Sequence, residues 1–340
     1  MMMTSTAPSG KEKGLQQLAD SRGVIAALAI DQRSALRALF ARAMNVDSGT
    51  VPQDKLIQFK EAVSSVLTPY ASSILLDPEY GLPAAKRRAK TSGLLLAYEE
   101  SGYDKNVLGR IPRRLKGWSA QRLVEAGANG VKLLLYYSNV SPAEINTAKY
   151  QFVQSVGAEC AACDIPFFLE LVSYREGLDE KGDEFARVKP EVVSAGIAEF
   201  SKPQYRVDVL KVGMPVNLNL VQGSPTLGAA EFLHTREDAK LHFCRAAELS
   251  RVPFIYLSEG VSNATFQYGL ELASEARVKF SGVLCGRATW KDGVPVFVDG
   301  GIGALEDWLA ERGIENIQNV HKRLGSATPW FTFHGQSTGA

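Results

Sequence analysis

Apolar positions along this 340-residue chain gather into short continuous runs, separated by longer stretches of mixed character. Eight runs have strand length and turn residues at their ends: 23–30, 73–76, 93–98, 130–136, 166–172, 207–212, 254–257 and 282–285. Most are apolar throughout instead of alternating, as strands are when a parallel sheet is covered on both faces. Between them, stretches 56–66, 119–125, 142–156, 190–200, 236–250 and 263–276 carry helical patterning. Start signals stand at Ser141-Pro142, at Lys189-Pro190, and at Thr235 with Asp238 three residues on. Eight strands alternating with helices predict a single α/β domain, a (β/α)8 TIM barrel with a closed parallel sheet. An open doubly wound sheet fits less well, because no G-x-G-x-x-G follows the first strand. The barrel is expected over residues 14–330, with tails at 1–13 and 331–340.

Composition narrows the partners. Lys plus Arg number 38 against 37 for Asp plus Glu, so no general field draws nucleic acid or an anionic membrane, and anion recognition has to be local. No apolar run approaches the roughly 18–20 residues of a membrane span, and the start MMMTSTAPSGKEK lacks a secretory signal's apolar stretch. Four cysteines in so long a chain do not make a disulfide framework, and a cytoplasmic home is expected. Cys160-x-x-Cys163 has no second pair and no histidine near it in sequence, and reads as a helix face. His234, His242, His321 and His334 show no metal-site spacing, so neither metal nor cofactor is expected.

In such a barrel, chemistry gathers at the C-terminal ends of the strands. The first run ends in Asp31-Gln32-Arg33, the second in Asp77, the third in Glu99-Glu100, the seventh in Ser258-Glu259-Gly260 and the eighth in Gly286-Arg287. Lys132, Glu170 and Lys211 sit inside otherwise apolar runs. A buried ammonium is rare without a partner or a purpose. Desolvation favours its neutral form, a second cation such as Lys132 adds to that, and a neutral amine attacks carbonyls to give a Schiff base. A protonated imine lets an adjacent carbon–carbon bond break, which is class I aldolase chemistry. Glu170, one strand from Lys211, is placed to move the protons, with burial expected to raise its pKa. Asp31 orients substrate hydroxyls or holds Lys132. Ser258, Gly260, Gly286 and Arg287 supply a hydroxyl, exposed amides and a guanidinium for a phosphate. Each also has a bland reading: Lys211 and Lys132 as interior ion pairs, Glu170 as the structural partner of Lys132, Asp31 as a helix cap, Lys86 to Arg88 and Arg110 to Lys116 as solvated loops.

Taken together, these residues resemble a known family, the class I, lactose-pathway type of tagatose 1,6-bisphosphate aldolase. The likeness is nearly full-length. It runs through Ala29-Ile30-Asp31-Gln32-Arg33, Leu95-Leu96-Ala97-Tyr98-Glu99, Val131-Lys132-Leu133, Phe168-Leu169-Glu170, Asp208-Val209-Leu210-Lys211-Val212, Tyr256-Leu257-Ser258 and Gly282-Val283-Leu284-Cys285-Gly286-Arg287. The resemblance implies a Schiff base on Lys211, acid/base work by Glu170 with Lys132 and Asp31 assisting, and Ser258, Gly286 and Arg287 on the dihydroxyacetone phosphate half. The substrate implied is a phosphorylated ketose, and a homo-oligomer is expected. The chain departs from the family at Gly213, where an acidic residue is common, and at Glu259, where a small one is common. Related aldolases take ketose 1-phosphates with another distal anion, such as 6-deoxy-6-sulfofructose 1-phosphate; Arg33 or the 110–116 loop would hold it. A sugar-phosphate-binding regulatory barrel is the reading of a different class.

Overall fold

The computed structural model describes residues 7–104, 107–226 and 231–336. Eight parallel strands close into a barrel in chain order: β1 (Ile25–Ala29), β2 (Ser73–Leu76), β3 (Gly93–Ala97), β4 (Gly130–Tyr137), β5 (Phe167–Ser173), β6 (Val209–Val212), β7 (Phe254–Leu257) and β8 (Gly282–Cys285). β8 closes on β1 with Ile25 opposite Gly282 and Leu28 opposite Cys285.

Two cores explain the unbroken apolar runs. Ile25, Ala27, Ala29, Leu75, Leu95, Ala97, Phe168, Val209, Ile255 and Leu284 fill the barrel interior. The alternate positions, Val24, Ala26, Leu28 and Ile30 among them, belong to the layer shared with the surrounding helices. Both faces of the strands are therefore covered along most of their length, so the runs do not alternate with solvent-facing polar residues.

The helices extend the sequence reading and correct it in places. Helix Asp183–Phe200 starts seven residues before Pro190, which lies inside it, so Lys189-Pro190 is not a helix start. The acidic first turn, Asp183 and Glu184 behind Gly182, marks the true one. Helix Gly10–Leu18 was expected to be partly tail. Ser9 caps it in a reciprocal box with Glu12. Its Leu15 and Leu18 join the interior cluster and plug the barrel at the end opposite the functional one, together with Trp330. Residues 1–6 and 337–340 of the predicted tails, and the side chain of His334, lie outside the described residues.

Candidate active site

The interior alternation points to the site. Continuing past the apolar layer in steps of two, β1 leads to Asp31, β3 to Glu99, β4 to Lys132, β5 to Glu170 and β6 to Lys211. Glu170 and Lys211 are register partners on adjacent strands, as their positions in the sequence predict.

Lys132 Nζ lies 2.8 Å from Asp31 Oδ2, 2.7 Å from Glu99 Oε1 and 2.8 Å from Glu170 Oε2. Lys211 Nζ lies 2.9 Å from the same Glu170 oxygen. Glu99 also accepts the Leu134 N–H at 3.1 Å. In the sequence Glu99 and Glu100 both stand at the strand end with no role assigned to either; the period-two rule carried beyond Ala97 is the signal that singles out Glu99.

The two lysines differ in their surroundings. Burial alone would lower the Lys132 pKa, but three carboxylates outweigh it and hold the group well above the ordinary lysine value. Lys132 is fully sealed and stays an ammonium, whereas Lys211 keeps 3% exposure and has one carboxylate. Burial would raise Glu170, as expected from sequence, yet the Lys132 and Lys211 ammoniums prevail and hold it below the usual carboxylate range. That expectation is corrected: Glu170 rests ionised. Asp31 is likewise held low, since Lys132 and Lys211 overcome its desolvation.

Neighbouring elements fix these groups. Lys60, buried in helix Gln53–Leu67, donates to the carbonyls of Ile30 at 2.6 Å and Gln32 at 2.9 Å and pairs with Asp77 at 2.5 Å, clamping the chain on both sides of Asp31. Arg33 is buried and tied to Glu79 at 2.6 Å and to the Glu99 carbonyl at 2.7 Å. It stands at the start of helix Ser34–Met44 without a side-chain cap bond, and Asp31 serves Lys132 instead of capping.

Across the barrel, Ser258, Glu259 and Gly260 follow β7, the last two with left-handed φ of 49° and 81°. A Cβ on Gly260 would stand 2.8 Å from Arg287 Cζ, so the guanidinium lies directly over this turn. Lys291 donates to the Gly260 carbonyl at 3.3 Å. The two departures from the family pattern meet here. A Cβ at Gly213 would come within 2.5 Å of Glu259 Oε1, and Glu259 pairs with Lys189 at 2.7 Å. The carboxylate of this chain reaches from β7 into space that a side chain on β6 would take.

An open cavity of about 720 Å³ joins both halves, lined by Asp31, Gln32, Arg33, Glu170, Ser258, Gly260 and Arg287 among others. Gly286 lies behind it, where a Cβ would meet the Gln32 side chain at 3.3 Å. Lys86 to Arg88 do not reach the cavity. Cys160 is buried in helix Ala143–Ala162, and Cys163 follows the last turn.

A closed (β/α)8 barrel with its ionisable groups gathered at the C-terminal ends of the strands has the form of a barrel enzyme. The family model for DeoC/LacD family aldolases matches residues 25–292, and the chain belongs to that family. It is a lyase of the aldolase kind. It is 49% identical over 332 residues to tagatose 1,6-diphosphate aldolase 2 of Enterococcus faecalis, covering 97% of each chain. It is 47% identical over 328 residues to tagatose 1,6-diphosphate aldolase of Listeria monocytogenes, covering 96% of this chain and 95% of that one. Among solved structures it is similar to Plasmodium falciparum fructose-bisphosphate aldolase, with a TM-score of 0.64 at 14% identity over 92% of this chain and 94% of that one, a likeness of fold. Among the described residues no helix is long and apolar enough to cross a membrane.

Proposed function

We propose that this protein is a class I aldolase that reversibly cleaves tagatose 1,6-bisphosphate to dihydroxyacetone phosphate and glyceraldehyde 3-phosphate, through an imine on Lys211. The observation that carries the choice of lysine is the contrast in partners: Lys132 is saturated by three carboxylates and fully sealed, and Lys211 is held by one, Glu170, which itself lines the cavity. The names of the near-full-length relatives favour the bisphosphate over a sulfonated ketose or a regulatory barrel.

In this mechanism Lys211 passes a proton to Glu170, 2.9 Å away, and the free amine adds to the ketose carbonyl. Glu170 is depressed by two cations, so loss of the Lys211 charge raises its proton affinity at the step where it has to hold one. It returns that proton to the carbinolamine hydroxyl, which leaves as water. The resulting iminium draws the electron pair of the bond between carbons three and four as Glu170, ionised again, takes the proton of the hydroxyl on carbon four, the proton that it later gives to carbon three of the enamine. The aldehyde half departs, and the enamine is protonated and hydrolysed. Lys132 remains cationic and holds Asp31, Glu99 and Glu170 in one array. Asp31 faces the cavity and takes a substrate hydroxyl. Ser258, Gly260, Gly286 and Arg287 bind the phosphate of the dihydroxyacetone half, Arg287 bidentately. Gln32 touches substrate beside Asp31, and Arg33 positions Glu99.

Steady-state turnover tests the roles. Lys211→Ala is expected to abolish cleavage, and Glu170→Gln to lower kcat by about 100- to 10,000-fold. Turnover retained in Lys211→Ala would overturn the assignment.

A further inference from the structure

The reading above leaves the far end of the substrate without a partner. A ketose bisphosphate carries a second phosphate on its aldehyde half, and the Arg287 turn occupies only one side of the cavity. Three arginines border it elsewhere. Arg33 is committed to Glu79 and the Glu99 carbonyl, and Arg113 is half-exposed and paired with Glu100 at 2.7 Å. The third, Arg110, is built differently.

Its guanidinium is enclosed by three tyrosine rings: Tyr174 at 4.3 Å, Tyr103 at 4.8 Å and Tyr136 at 5.5 Å from ring centre to Cζ. Tyr136 comes from β4, Tyr174 follows β5, and the rings pack edge to face on one another. Tyr174 is itself fixed from behind by buried Lys149, whose ammonium donates to its hydroxyl at 3.1 Å, and by Ser141 at 3.3 Å. The backbone is shaped to deliver the side chain. Gly109 and Arg110 both have left-handed φ, 90° and 50°, and a Cβ on Gly109 would come within 2.5 Å of Ile145. Such a cage immobilises a long flexible side chain in advance of binding and keeps its charge partly out of water. Its anionic partner in the free protein is Glu180, 2.6 Å away and 40% exposed, which also borders the cavity.

We infer that Arg110 anchors the distal phosphate of the bisphosphate substrate, with Glu180 holding the position until that phosphate displaces it. The inference rests on the aldolase reading and adds to it a specificity-determining residue. Exchange runs in the right direction, because a phosphate ester near neutral pH carries close to two negative charges where the carboxylate carries one. The planar guanidinium suits both ring stacking and a tetrahedral oxyanion, which an ammonium does not.

The test compares tagatose 1,6-bisphosphate with tagatose 1-phosphate, which lacks the distal group. In Arg110→Met the ratio of kcat/KM for the bisphosphate to that for the monophosphate is expected to fall about 10- to 100-fold. Glu180→Gln, a substitution at a surface position, is expected to lower KM for the bisphosphate. A ratio within twofold of the unsubstituted protein in Arg110→Met, or a KM unmoved or raised in Glu180→Gln, overturns the inference. Borohydride trapping with dihydroxyacetone phosphate separates the two readings. A Lys211 adduct with an unmoved ratio refutes the Arg110 anchor alone; no adduct in the unsubstituted protein refutes the Schiff-base reading.

Discussion

Five ionisable side chains from five strands share one small volume, and the arithmetic of their contacts assigns their roles. Three carboxylates surround Lys132 within 2.8 Å, so removing its charge leaves them facing one another without compensation. Lys132→Met is therefore expected to cost about 3–5 kcal/mol of stability in urea unfolding, the usual penalty for stripping one partner from a buried charge cluster. A loss below about 1 kcal/mol would mean that the cluster is more hydrated than its burial indicates. At this scale most of the site was legible in the sequence. Lys132, Glu170 and Lys211 stood out because a charge inside an apolar strand has no bland surface explanation. The direction of the Glu170 pKa was not legible, since it depends on two ammoniums outweighing burial, and that balance is set by distances. Nor was the tyrosine cage, whose members lie at positions 103, 136 and 174 and meet only through the barrel.

Strands were easier to read than helices, for a physical reason. All eight strands lie within the predicted apolar runs or one residue beyond them, because most strand positions are buried on one face or the other, the partly exposed ones lying toward the C-terminal ends of β4, β5 and β7. Helix Gly10–Leu18 was not predicted, and Ser34–Met44 was anticipated only through Asp31 as a cap, without bounds. The first has a polar face and only Gly14, Leu15 and Leu18 buried, too few for a convincing period, and its place as the barrel plug is a tertiary fact. Leu18 is fully buried in that plug, so Leu18→Ala is expected to destabilise the fold by roughly 2–5 kcal/mol in thermal or denaturant unfolding. An effect under about 1 kcal/mol would show that the helix merely lies against the barrel.

The whole molecule's response to acid divides into two windows. Burial holds His321 down at about 4, below the ordinary histidine value. The unfolded chain then binds a proton there first, and stability falls as pH drops from about 6.5 to 4. Asp31 and Glu170 are also depressed, so their contribution is complete above about pH 4 and is lost below it. Melting temperatures of His321→Gln are expected to vary less with pH in the upper window while keeping the steep fall in the lower one; an unaltered upper slope would remove His321 from the account. The central claim, however, concerns one covalent bond. Borohydride reduction in the presence of dihydroxyacetone phosphate, followed by mass spectrometry of the digest, is expected to place a stable adduct on the peptide carrying Lys211. An adduct on Lys132, or none while the protein turns over, would contradict the account.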